Sequence, residues 1–61
     1  MAQITEKELG AIGDLMSAEG VMIAKCNHLA EQTEDAALKD LYTQMASRHQ
    51  RHFDELFSNL K

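Results

Sequence analysis

One acid and two imidazoles carry the chemistry this chain could do: Glu19, and the pair His49 and His52 in the stretch Ser47-Arg48-His49-Gln50-Arg51-His52-Phe53. A His-x-x-His spacing sets both rings on one side of a helix, about one turn apart, and a carboxylate from a second helix adds an oxygen donor. Carboxylate-bridged di-metal bundles instead take one Glu from each of two helices and a Glu-x-x-His pair from each of the others. Here a histidine stands where the second glutamate belongs. The lower negative charge suits zinc or a single nitrogen-rich metal, with iron as the other candidate, and argues against oxygen-activating chemistry. The same three groups also have a purely structural use, because a neutral imidazole donating to a buried carboxylate satisfies both and fixes helix register without an ion. The residue types leave both readings open, and no residue is assigned a catalytic role.

These side chains need elements to hold them. Thr5 followed by Glu8 has the capping-box spacing, which starts a first helix at Glu6, and acidic Glu6 and Glu8 suit the positive end of its dipole. The apolar period then runs to about Gln32, and the chain has no proline to interrupt it. Taking Glu19 as the reference direction, the apolar residues Leu9, Ile12, Leu15, Met16, Met22, Ile23, Cys26, Leu29 and Ala30 fall within roughly 80° of it. Glu19 therefore points toward the core. Gly10, Gly13 and Gly20 each cost on the order of 1 kcal/mol in a helix interior. Gly13 and Gly20, at the edge of the stripe, are read either as points of close helix approach or as simply tolerated.

Gln32-Thr33-Glu34-Asp35 is the only connector, with Asp35 as N-cap of a second helix spanning about 36–60. Leu38, Leu41, Tyr42, Met45, Ala46, Phe53, Leu56, Phe57 and Leu60 share one arc with His49, and His52 lies inside it. A connector this short forces an antiparallel hairpin. At ~1.5 Å rise per residue from a turn centred near Glu34, Glu19 and His49 stand level, and Met16 stands level with His52. Two helices cannot enclose such wide stripes, whereas four can. The expected fold is all-α, an antiparallel two-helix hairpin that dimerises into a four-helix bundle and gathers two copies each of Glu19, His49 and His52 in one layer.

Other functions are limited by composition. At 61 residues the chain is one small domain, of a size that normally needs disulfides, metal or a partner for stability. The single cysteine, Cys26, cannot form an intrachain disulfide and is read as a small core hydrophobe. His28 points away from Glu19 into solvent, and Lys7, Lys25, Lys39, Arg48 and Arg51 are read as solvated or paired with neighbouring acids. The net charge of −4, with one tyrosine, two phenylalanines and no basic patch, argues against nucleic acid. No apolar run approaches a membrane span and no leader pattern is present, so the expectation is an intracellular protein that meets no membrane.

A family resemblance adds to this reading. The opening Ile4-Thr5-Glu6-Lys7-Glu8-Leu9, then Asp14-Leu15 with Ala18-Glu19, Ala30-Glu31-Gln32-Thr33, Leu38-Lys39, and Met45-Ala46-Ser47-Arg48-His49-Gln50-Arg51-His52 are similar to small proteins of the spore coat protein F (CotF-like) family. The resemblance covers nearly the whole chain. It implies a ferritin-like helical fold, a spore-forming bacterium, and a place in or near the spore coat among other coat proteins. Two functions are thus expected as alternatives. One is a structural or assembly protein of the coat with Glu19 and His49 as its buried polar layer. The other is a metal-binding ferritin-like module, with a storage or redox role, that uses Glu19, His49 and His52 as ligands.

Overall fold

A computed structural model describes residues 3–60 and contains two helices, α1 (Glu6–Gln32) and α2 (Ala36–Ser58), packed antiparallel into a rod with extents 47 × 17 × 11 Å. The start of α1 follows from its capping box. The Thr5 hydroxyl accepts from the Glu8 amide at 3.1 Å, and the Glu8 carboxylate accepts from the Thr5 amide at 3.1 Å. These reciprocal bonds satisfy two donors that the first turn would otherwise leave without partners.

The connector is an interlocked turn. Thr33 caps α1 by donating its amide to the Leu29 carbonyl, and its hydroxyl accepts from the Asp35 amide. Asp35 in turn caps α2, its carboxylate accepting from the Leu38 amide at 3.0 Å. Lys39 is exposed, as its position suggests, and makes one further contact that its position does not reveal. Its ammonium donates to the Ala30 carbonyl at 2.7 Å. The last turn of α1 carries no basic residue of its own, so a cation from α2 meets the negative end of its dipole.

Helix α2 stops at Ser58 rather than Leu60. The Asn59 amide donates to Leu56 and Phe57, and the Leu60 amide reaches only to Phe57 at 3.0 Å, a tightened final turn of the i to i+3 kind. The glycines also differ from one of the two readings. A Cβ built at Gly10, Gly13 or Gly20 meets nothing within 4 Å, so no close approach inside the hairpin requires them.

The seam between the helices is narrow. Ile12, Met16, Glu19, Ile23, Cys26 and Ala30 of α1 alternate by four and three residues and are shielded or buried, facing Tyr42, Ala46, His49, Phe53 and Leu56 of α2. This is the spacing of an antiparallel coiled-coil seam. Among the described residues only Cys26, Ala30 and Ala46 are buried, while Leu9, Leu15, Val21, Leu29, Leu38 and Leu41 are exposed. The apolar stripes are wider than one partner helix can cover.

Candidate metal centre

The seam carries Glu19 at the middle of α1 and His49 near the middle of α2, with His52 one turn further along. All three converge. Nδ1 of His49 is hydrogen-bonded to Oε1 of Glu19, and Nδ1 of His52 lies 3.1 Å from Oε2 of the same carboxylate. Because an ionised carboxylate only accepts, each ring presents its Nδ1–H to it. The two rings stand edge to face, with centroids 5.9 Å apart and planes at 90°. One donor atom from each of the three side chains fits within a span of 4.8 Å.

Burial is graded across the site. The Glu19 side chain is 18% exposed, His49 24% and His52 46%, so the cluster is closed toward the seam and open on the His52 side. The hydrogen bond from His49 holds the Glu19 carboxyl below its ordinary pKa, helped by the charges of both imidazoles and opposed by desolvation. Glu19 therefore stays ionised, the form a cation needs. Both Nδ1 atoms and both carboxylate oxygens of the cluster are paired with one another.

Chemically, one carboxylate and two imidazoles make a three-donor set of borderline softness with room for an exogenous ligand, the arrangement that zinc sites with an open position use. The donors fit a divalent cation of that class. A groove of about 330 Å³ opens beside the cluster, lined by Leu15, Glu19, His52, Glu55, Leu56 and Asn59. Glu55 was not expected at the site. Its spacing of three residues from His52 puts it on the same flank of α2, and that spacing is the signal that identifies it. The opposite side of the hairpin has a groove of about 380 Å³ whose polar lining includes Asn27, Thr43, Ser47, Gln50 and Asp54, and it holds no imidazole or thiol.

The remaining candidates lie apart from the cluster. Cys26 is 2% exposed and sits in the seam as a small apolar residue, and His28 faces solvent. Met16, Met22 and Met45 are half-buried packing groups. No helix of the described residues is long and apolar enough to cross a membrane. The chain is an all-α helical hairpin, and its comparison with protein families, curated proteins and solved structures finds no significant match.

Proposed function

We propose that this chain is a metal-binding helical module that holds one divalent cation of the zinc or iron class on Glu19, His49 and His52. The observation that carries this reading is the convergence of both imidazoles on a single carboxylate from the other helix. A carboxylate has acceptor sites for both rings, yet the ion pair made from the half-exposed position of His52 adds little stability. His52 does complete a set of three donors. Zinc fits this nitrogen-rich set better than a bridged di-iron centre does.

The working form in this proposal is a homodimeric four-helix bundle of the ferritin-like kind. The support is energetic. Three small or soft residues make up the buried core among the described residues, while leucines on both helices remain exposed, and covering apolar surface is worth ~25 cal/mol per Å². A second reading, a structural or assembly protein of a spore coat that contacts other coat proteins, is favoured by the same apolar surface together with the resemblance to the spore coat protein F family. The two readings differ in what the triad is for.

Metal analysis of tag-free protein separates them. The proposal expects one or two ions per dimer retained through desalting, and an unfolding temperature that falls on chelation and recovers with zinc. Protein that binds no zinc or iron on reconstitution, with thermal stability indifferent to chelator, overturns it and leaves Glu19 and His49 as a structural polar layer.

A further inference from the structure

One flank of α1 is a second apolar seam without a partner. Ala11, Leu15, Ala18, Met22 and Leu29 alternate by four and three residues, interrupted only by Lys25 at the place of a sixth member. Leu15 and Leu29 are 54% and 43% exposed. This seam is displaced by one residue from the one that faces α2, so it looks out of the side of the hairpin on which His52 and the groove beside Glu19 open. Leu38, Leu41 and Met45 of α2 flank the same side.

We propose that a second copy of this chain docks on this face with its own α1 antiparallel to the first, about a two-fold axis crossing α1 near Gly20. The inference rests on the homodimer reading above and specifies its geometry. An axis at that level sets large residues against small ones. Leu29 meets Ala11 of the second copy, and Met22 meets Ala18, so the seam is complementary to itself. Leu15 falls opposite Lys25, whose methylene stem can lie over it while the ammonium extends past it.

Charge along α1 supports this arrangement, against one like-charge meeting of Arg48 with its own copy where the axis crosses α2. Asp14 of one copy comes level with Lys25 of the other, twice by symmetry, and neither residue forms an ion pair within its own chain among the described residues. A two-fold axis along the bundle would instead lay α1 of one copy on α2 of the other. There Asp14 would stand level with Glu55, placing like charges at both edges of the interface. Val21, 60% exposed on the outer edge of α1, would meet its own counterpart beside the axis in the favoured arrangement. Glu19 lies one residue from that axis, so the two triads occupy one layer with their half-exposed His52 rings on the covered side.

The test is a charge exchange read by sedimentation equilibrium. Asp14→Lys places two lysine pairs across the axis, and Lys25→Asp places two acid pairs there. Each variant alone should dimerise about tenfold more weakly than the wild type. An equimolar mixture of the two should recover wild-type affinity, because a heterodimer contains only opposite-charge pairs, and the double variant should recover it as a homodimer. Circular dichroism of each variant separates loss of pairing from loss of helix. A wild type that dimerises while the mixture shows no recovery overturns the α1-to-α1 geometry alone. A wild type that is monomeric at micromolar concentration overturns the homodimer itself, and metal content measured on the same samples reports on the triad independently.

Discussion

Glu19 and His49 are thirty residues apart in sequence and hydrogen-bonded across the seam. Their contact is set by helix rise from a single tight turn, and it leaves the other carboxylate oxygen available to His52. Local roles therefore differ within the triad, and variants should separate them. Glu19→Gln keeps the shape and one acceptor but loses the charge, and metal affinity should fall by about 10–100-fold. His49→Ala, which empties a seam position, should lower the unfolding temperature of metal-free protein by about 5 °C. His52→Ala, half-exposed, should change it by less than about 2 °C while abolishing metal retention. Calorimetry with and without zinc checks all three. Equal metal retention in wild type and His52→Ala would remove His52 from the site.

Gly13 lies in the interior of α1 with open space where a side chain would be. Gly13→Ala should stabilise the protein by about 0.5–1 kcal/mol through helix propensity and a less disordered unfolded chain. Thermal or urea unfolding reads this directly. A destabilised variant would show that the position is occupied by a neighbouring chain.

Two carboxyls have lowered pKa values, Glu8 through the Thr5 amide and hydroxyl and Glu19 through His49. A carboxyl whose folded pKa is depressed binds its proton less readily folded than unfolded, so its stabilising contribution is complete above its ordinary value of 4.5 and is lost as pH falls through the lowered value. Metal-free protein should lose stability on acidification below about pH 5. NMR titration should place the midpoints of both groups below the ordinary value of 4.5. Midpoints at the ordinary value would mean that the capping box and the imidazole contacts do not persist in solution.

The Lys39 ammonium on the Ala30 carbonyl ties the last turn of α1 to the first turn of α2. Lys39→Met retains most of the stem and removes the donor. The expected cost is about 0.5–1.5 kcal/mol, with faster amide exchange concentrated at the turn. Exchange unchanged around Thr33 to Leu38 would assign the turn's rigidity to Thr33 and Asp35 alone.

The hairpin was legible because its signals are local. Thr5 with Glu8, Asp35 ahead of Leu38, and an uninterrupted period between them specify both helix starts from hydrogen bonds a few residues long. The triad was legible for a different reason. A single short turn fixes which residues stand level, and the stripes fix which way they point, so Glu19 and His49 meet by arithmetic. What escaped depends on tertiary detail. Lys39 reaches a carbonyl nine residues back, across the turn, that no helical period reveals. The end of α2 escaped because Asn59 and Leu60 have no proline or glycine to mark it, and the tightened last turn comes from backbone geometry alone. Glu55 escaped because its polar side chain lies outside the apolar arc on which attention to the stripe is based.

Both imidazoles turn their protonated nitrogen toward one acceptor, and this has a consequence for how the site would load. An ion settling among these three atoms must displace the hydrogen from Nδ1 of each ring before that nitrogen can donate its lone pair. In a neutral ring the hydrogen reappears on Nε2, so loading switches the tautomer of both histidines and turns their N–H groups outward, with no net proton released.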